Sequence, residues 1–570
     1  MENNKREIQK MKIKYDLEKI YLILMFSILL WASSANLWEH KLSHDFPYGL
    51  LASDSFQHQI RTESIKDMGN YRYEAPYISA GFKDTIGFYP PVLYHLGVIF
   101  SYLSGLETYD SVYFLVFILT IFSALIVYLI IKQFNKQAAI IALPLAILTF
   151  TGAAYVGFTW GSWPAIAAQF FLIALFWSIS KIDFEHSFIL LGIFLSAAAL
   201  THTSEGIFAV LFIIFYLIIH FIKKELTVKR IKDVVFGGIL SFVLSVYYII
   251  IFKFTWMGVQ PYKFMIETEW GTTPLFKLTD FKIVLVIFII IGIIFSILAL
   301  KKRVDMAMMM GIFMFLVGYG NFVGFNVRSF QIRLLWPIYL SVFFGLAIYQ
   351  LLKFVIKKWR TVYSIIIAVI FILIFIKIVP VPFIQQYEKL STAGLMDSFH
   401  WEALTWFPSN TEEDAKILFL YGDMYNQNAL LRNIKRPPYM VKTNEYVAAL
   451  NEGLIKRNYK IDLLGDHKGV NYAYRKSLFS YGYYKEEYGS DYFYNSERDI
   501  CSFDYYVFDA AARQNALAQY NLLILQELLK NGWFEIVHKV NDGQWDLIII
   551  AKNNKPGEKC MEDEVSTKNG

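Results

Sequence analysis

Residues 50–61 read LLASDSFQHQIR and follow the first hydrophobic run of the chain. The segment places a carboxylate, an imidazole and a guanidinium on neighbouring turns of a predicted short helix. Asp54 and His58 are four residues apart and therefore share one face of that helix. Ser53, or Asp54 itself, could cap the helix. Because this spacing suits a capped surface helix as well as a functional site, the position of the segment in the chain decides between them.

The composition indicates a membrane protein with one soluble part. The chain has 570 residues, of which 56% are hydrophobic, too many for an ordinary soluble domain. Long apolar runs lie between residues 20 and 380, and the remainder has a globular composition. The net charge of +6 lies in short loops, so it reports on topology and indicates no nucleic-acid partner. Cys501 and Cys560 form no metal motif, and no glycine-rich phosphate-binding motif is present.

The topology depends on the apolar run at 90–103, which is short for a crossing that needs about twenty residues. If this run does not cross, the lysine- and arginine-rich loops between the later runs all face the cytoplasm; if it crosses, that pattern inverts. We therefore predict that it lies in the interface or dips in from outside. Basic residues before the first run place the N-terminus in the cytoplasm, and that run is an anchor rather than a cleaved signal. The eleven predicted crossings are 20–37, 111–131, 138–158, 164–180, 187–201, 204–222, 233–252, 282–300, 305–320, 334–352 and 361–380.

This topology gathers polar residues outside the membrane, on the loop at 38–89 and on four later loops. Beside Asp54 and His58 they comprise Trp160 and Trp163, His202 and Glu205, Glu267 and Glu269, and Arg328 and Arg333. His202 and Glu205 suit a helix-capping arrangement as well as a site, and the two tryptophans suit an interfacial belt. An arginine at the edge of a span has a specific anionic partner or snorkels to the surface, and Arg328 and Arg333 are placed for the first role.

A second domain is predicted from residue 382 to residue 570, after the transmembrane domain at 1–381. Strands are expected at 415–421, 505–508, 534–540 and 547–551, with a helix at 510–530. This alternation of strands and a helix indicates a small α/β domain. The predicted crossings place that domain outside the cytoplasm. Residues 471–495 are expected to form a loop, and the polar residues at the C-terminus to be disordered.

An enzyme acting on the outer face of a membrane has no access to cytoplasmic nucleotide sugars, so its donor must arrive on a lipid. A polyprenyl phosphate carrier would present an anionic phosphate at the interface, where Arg328 or Arg333 could bind it. The acceptor hydroxyl must lose a proton as it attacks, and a positioned aspartate can accept that proton. Direct attack on the anomeric carbon would invert its configuration.

In its motifs and their order the chain resembles the GT-C superfamily of integral-membrane glycosyltransferases, which includes protein O-mannosyltransferases, aminoarabinose transferases and oligosaccharyltransferase catalytic subunits. The resemblance rests on SDSFQH at 53–58, YPPVLYH at 89–95, Arg328 with RLLWP at 333–337, and ALTWFPSNT at 403–411. It implies that Asp54 is the catalytic carboxylate, with His58 beside it, and that Arg328 and Arg333 meet the donor phosphate. Together with these arginines, the candidate substrate-binding residues are His95, His202 and Glu205.

Two departures from the family leave the acceptor open between a glycan, a lipid and a protein. The oligosaccharyltransferase signature Trp-Trp-Asp-Tyr-Gly is absent, and Asp54 is followed by Ser55 rather than by a second acid. Metal use is also open, because Asp45, Asp54, Glu267 and Glu269 could supply oxygen ligands to Mg²⁺ or Mn²⁺. The rival hypotheses are a flippase or transporter of lipid-linked glycans and an inactive scaffold. Transporters of this size commonly contain internal repeats, and none is evident here.

Overall fold

The computed structural model describes the N-terminal two-thirds of the chain as a helical bundle. The described residues are 16–35, 42–50, 53–79, 81, 83–87, 89–259, 283–318, 335–356, 359–379, 396–420, 428–441, 458–463, 473–475, 481–483, 496–499, 502–509, 522, 525–526, 528–530, 532 and 534–556. The bundle and its outer helix comprise α1 (Leu17–Ser33), α2 (Ser53–Met68), α3 (Val92–Ser104), α4 (Thr108–Phe134), α5 (Lys136–Ala142), α6 (Gly152–Thr159), α7 (Trp163–Ile179), α8 (Ser187–Ala199), α9 (Thr203–Ile222), α10 (Val228–Val259), α11 (Ile283–Lys302), α12 (Met306–Gly318), α13 (Trp336–Lys353) and α14 (Thr361–Ile376).

Five helices of the described part of the chain, α4, α9, α10, α11 and α13, are long and apolar enough to cross a membrane. The shorter apolar helices coincide with the other predicted runs, which supports a multi-pass membrane protein. One predicted run, 138–158, is interrupted. After α5 the chain forms a 3₁₀ helix at Leu143–Phe150 with Pro144 in its first turn, and Thr151 is extended before α6 begins. Proline lacks the backbone N–H that would continue the α-helical ladder.

Helix α3 lies beside α2, on the side of the bundle where the polar segments meet. Its 13 residues span about 20 Å at about 1.5 Å each, less than the hydrocarbon thickness of about 30 Å. At its start, the Val92 N–H donates to the Leu200 carbonyl in the turn between α8 and α9. Near its end, Lys66 of α2 donates to Ser101 Oγ over 3.2 Å. The start of α3 is therefore held by the turn before α9, and its end by α2. That α3 does not cross the membrane stays a prediction.

Beyond the bundle, α15 (Ser398–Asn410) leads into a seven-stranded mixed sheet in the order β6-β3-β2-β1-β7-β9-β8. Strand β1 pairs in parallel with β2 and β7, and the outer pairings are antiparallel. The central strands β1 and β7 are buried along their whole length, as is typical of parallel strands covered on both faces. The strands are β1 (Ile417–Leu420), β2 (Pro438–Val441), β3 (Asn458–Leu463), β4 (Ala473–Arg475), β5 (Tyr481–Tyr483), β6 (Ser496–Asp499), β7 (Tyr505–Asp509), β8 (Phe534–Asn541) and β9 (Asp546–Asn553).

The four strands expected from the sequence, β1, β7, β8 and β9, are all present, and no bound is shifted by more than two residues. The expected loop at 471–495 is wrong in part, because β4 and β5 pair antiparallel within it. Their alternating tyrosines suit strands, a signal that the glycines between them obscured. Most of the predicted helix at 510–530 and the predicted disordered C-terminus lie outside the described residues.

A buried histidine links helix α15 to the sheet. Asp397 caps the helix by accepting from the backbone N–H of His400 at 3.0 Å. The His400 ring lies between two carboxylates, with Nδ1 2.7 Å from Asp397 Oδ1 and Nε2 3.2 Å from Asp509 Oδ2. Because Asp509 ends β7, this contact fixes the helix against the centre of the sheet.

Candidate functional site at the start of helix α2

Helix α2 presents Asp54 to solvent at its N-terminal end. Its apolar residues Phe56 and Ile60 are buried, at 1% and 0% exposure; Phe56 packs in the core of the bundle, and Ile60 packs with residues 75–78 of the outer loop. Asp54 lies in the first turn and its side chain is exposed. A carboxylate is favoured there, because the unpaired N–H groups of the first turn carry partial positive charge.

The turn at Gly161 packs directly on the backbone of this first helical turn. Gly161 has φ +86°, and a Cβ added to it would lie 2.2 Å from Ser55 N and 2.4 Å from the carbonyl carbon of Asp54. Only glycine allows this approach. The turn before α7 therefore fixes the position of the Asp54 backbone, which brings together two of the outer segments expected from the sequence.

His58 is buried on the same side of α2. Its Nδ1 lies 2.8 Å from the Tyr94 hydroxyl, and its ring centroid lies 5.9 Å from Tyr89 and 6.3 Å from Trp163. Enclosed in this way, at 6% exposure, His58 is placed to orient its neighbours rather than to touch a substrate. Trp163 is fully buried, so its predicted interfacial-belt role is wrong, whereas Trp160 is 52% exposed and suits that role.

Arg61 continues this face one turn further along α2. Its guanidinium forms a buried ion pair with Glu74 and lies 4.7 Å from the centre of the Tyr89 ring. Glu74 was missed from the sequence, because nothing local distinguishes it from the other acids of the loop. A small cavity of about 20 Å³ borders Arg61, Glu74, Tyr89 and Tyr94.

The turn between α8 and α9 adds His202 and Glu205 to the same side of the bundle. Their side chains are hydrogen-bonded to each other, and Glu205 is buried at 4% exposure. His202 occupies the N-cap position of α9, but its side chain does not cap the helix. The capping hypothesis is therefore wrong, and the pair stays a candidate for substrate binding. The contact between Leu200 and Val92 joins this turn to α3 and hence to Tyr94.

The remaining predicted site residues fall into three groups. Arg328, Arg333, Glu267 and Glu269 lie outside the described residues. His95 is exposed, with its ring 5.7 Å from that of Tyr71. Asp45 lines a cavity on the other side of α2, away from Asp54. In the described part of the chain no group of three or more histidines, cysteines and acids is arranged to hold a metal ion.

The opposite face of α2 is held by cations that follow strand β1, an interaction that the sequence did not reveal. Arg432, which is completely buried, donates to Gln57 Oε1 at 2.8 Å. Lys435 forms ion pairs with Glu63 and Asp67. Because Lys435 and Glu63 are 372 residues apart, no local pattern could have linked them.

The fold is similar to those of known membrane transferases. The apo form of the oligosaccharyltransferase from Archaeoglobus fulgidus matches with a TM-score of 0.53 at 14% identity, over 89% of this chain and 72% of that chain. ArnT from Cupriavidus metallidurans in the apo state matches with a TM-score of 0.54 at 11% identity, over 95% of this chain and 99% of that chain. ArnT bound to undecaprenyl phosphate matches with a TM-score of 0.50 at 11% identity, over 82% and 99% of the two chains. No family model and no curated protein matches the sequence. The predicted resemblance to the GT-C superfamily is therefore confirmed at the level of the fold.

Proposed function

We propose that this GT-C-fold membrane protein is a glycosyltransferase that moves a sugar from a polyprenyl-phosphate-linked donor to an acceptor on the outer face of the membrane. The observation that carries this function is the exposed Asp54 carboxylate, held at the start of α2 by the turn at Gly161. The shared fold supports it, because one similar structure, that of ArnT, contains undecaprenyl phosphate, a lipid phosphate of the proposed kind.

In the proposed reaction Asp54 is the general base. The acceptor hydroxyl transfers its proton to the Asp54 carboxylate while its oxygen forms a bond to the anomeric carbon of the donor. The bond between that carbon and the phosphate oxygen breaks, and the polyprenyl phosphate leaves with the bonding electron pair. A single displacement of this kind inverts the anomeric configuration. His58, buried against Tyr94, would act by positioning.

The donor phosphate is assigned to Arg328 and Arg333, with Arg333 preferred because it directly precedes the start of α13. A guanidinium at headgroup depth can bind the phosphodiester and stabilise the charge that develops on the leaving phosphate. His95, His202 and Glu205 are proposed to contact substrate on the same side of the bundle. A divalent cation, Mg²⁺ or Mn²⁺, is a proposed cofactor whose effect a chelation assay would measure.

The function also requires an orientation. We propose eleven crossings, a cytoplasmic N-terminus and an extracytoplasmic domain at 382–570. The contacts of α3 with α2 and with the turn at Leu200 support this arrangement, because α3 then adds no crossing.

The test is transfer from a radiolabelled polyprenyl-phosphate sugar in membranes that contain the full chain. We expect Asp54→Asn to lower turnover by about 10²–10⁴-fold, the usual loss for a missing general base. Asp84→Asn is the matched control, because Asp84 is an exposed acid of the same loop whose φ of 59° suits asparagine. Normal turnover in Asp54→Asn would refute the assignment of the base.

The donor site needs a second pair of variants. Arg333→Ala should raise the apparent donor KM and lower turnover, and Arg333→Lys should do so less, because lysine keeps the charge but loses the two-pronged hydrogen bonding. Movement of labelled donor across vesicles without transfer to any acceptor would favour the flippase hypothesis instead.

A further inference from the structure

A cavity of about 680 Å³ lies on the side of α2 that faces away from Asp54. Gln59 and Glu63 line it from α2, and Gln59 is about 140° around the helix from Asp54 at about 100° per residue. The loop before α2, the start of α4, helix α15 and the segment with Asn433 and Lys435 supply the other walls. Its volume lies within the range of about 300–1,000 Å³ that is usual for small-molecule sites.

The walls of this cavity, which we call the α2–α15 cavity, are rich in hydrogen-bond acceptors. Gln59 is buried at 3% exposure, and its Oε1 has no hydrogen-bond partner among the described residues. Asp45 and Glu107 line the cavity with exposed carboxylates, and no cation in the described part of the chain forms an ion pair with either of them. Carboxylates that form no ion pair readily accept hydrogen bonds, so the cavity favours a ligand that brings donors.

The basic side chains at the cavity are already bound to acidic side chains of the protein. Lys435 forms ion pairs with Glu63 and Asp67, and the His44 ring binds the carboxylate of Asp110 at 3.0 Å. The remaining charge at the walls is therefore negative, from Asp45 and Glu107. An anionic ligand would meet repulsion there.

Two aromatic residues, Trp401 and Tyr109, also line the cavity. Trp401 Nε1 donates to the Asp45 carbonyl at 2.8 Å, and the Tyr109 hydroxyl donates to the His44 carbonyl. The two rings meet edge to face, with centroids 5.6 Å apart. Because both polar atoms are bonded to the backbone, the small part of each ring that borders the cavity offers a ligand carbon surface.

From this combination we propose that the α2–α15 cavity binds a saccharide that carries no acidic group. Sugar hydroxyls would donate to Asp45 and Glu107, and the C–H groups of a sugar ring would pack on Trp401. Because the cavity faces away from Asp54, in glycosyl transfer such a saccharide would be a part of a glycan acceptor remote from the reacting hydroxyl, and that role rests on the proposed function.

The test is equilibrium binding to the full chain in detergent, measured by titration calorimetry with three disaccharides. Diacetylchitobiose is neutral, chitobiose has the same backbone with two amines, and digalacturonic acid carries two carboxylates. We expect the first two to bind, the acidic one to bind at least tenfold more weakly, and putrescine, an amine without hydroxyls, not to compete with diacetylchitobiose.

Variants locate the binding within the cavity. Asp45→Asn and Trp401→Phe should each weaken binding of diacetylchitobiose by about tenfold, the usual effect of losing a charged hydrogen bond or much of an aromatic contact. Glu402→Gln is the matched control, because Glu402 is an exposed acid on α15 that does not line the cavity. Asp54→Asn should bind the disaccharide normally even though transfer is lost. Binding in the cavity is thus measured independently of the proposed transferase activity. Equal binding of all three disaccharides, unchanged binding in both cavity variants, or no binding at all would overturn the proposal.

Discussion

Glu63 is held ionised by the partners that join α2 to the residues after β1. Burial raises the pKa of its carboxyl, but the charge of Lys435 and hydrogen bonds from Lys435 and Thr108 outweigh burial, so the pKa lies below its usual value. A carboxyl whose pKa is lowered on folding stabilises the fold above its ordinary pKa of about 4.3, and this contribution is lost as the pH falls through the lowered value.

We therefore expect Glu63→Gln to lower the free energy of unfolding by about 1–3 kcal/mol at pH 7, because Lys435 loses a largely buried partner. The loss should shrink as the pH falls below about 4, where the wild-type carboxyl also becomes protonated. Denaturant unfolding of the detergent-solubilised chain at several pH values measures both effects, with Glu402→Gln as an exposed control. A difference that does not change with pH would contradict this account of Glu63.

Helix α2 depends on the turn at Gly161 for the position of its first turn. Gly161→Ala should strain the backbone, because φ is +86° there, and should also push against Ser55 N at 2.2 Å. The left-handed conformation alone costs a residue with a Cβ about 1–2 kcal/mol. A displacement of α2 by about 1 Å would lower transfer by up to about 10²-fold if Asp54 is the base.

Gly69→Ala separates backbone strain from displacement of the helix. Gly69 lies just beyond the other end of α2 with φ +64°, but an added Cβ there meets nothing within 4 Å. Both variants should melt at a lower temperature than the wild type, and only Gly161→Ala should also lose transfer. Equal losses of transfer in the two variants would show that general destabilisation, and not the position of Asp54, is responsible.

At the scale of the whole molecule, labelling of single cysteines can test which segments face the outside of the membrane. With Cys501 and Cys560 replaced by serine, single cysteines at Lys83 and Glu107 should both react with an impermeant maleimide from outside if α3 between them does not cross, as we propose. A cysteine at Glu413, near the end of α15, should react as well.

A cysteine at Lys302, which ends α11, should react only after the membrane is permeabilised. These four positions are exposed in the structure, so failure to react reports on sidedness. Opposite labelling of Lys83 and Glu107 would mean that α3 crosses, and the site assignments on the outer face would then be wrong.

The positions of the apolar helices and of four sheet strands were predictable from sequence because their causes are local. A segment in hydrocarbon must satisfy its own backbone hydrogen bonds, so a long apolar run specifies a helix. The buried strands β1 and β7 likewise appear as short runs of apolar residues bounded by polar ones. Asp54 could be nominated because its loop, its neighbours and the basic loops elsewhere are all visible in the sequence.

Only the tertiary structure decided what surrounds Asp54. The approach of Gly161 to Ser55, the burial of Trp163 against His58, and the ion pair of Lys435 with Glu63 join residues that are far apart in sequence. Such contacts depend on how whole helices pack, and packing is set by the sum of many weak side-chain interactions rather than by any local pattern. The α2–α15 cavity is the clearest case, because its walls come from five separate parts of the chain and exist only when these have assembled.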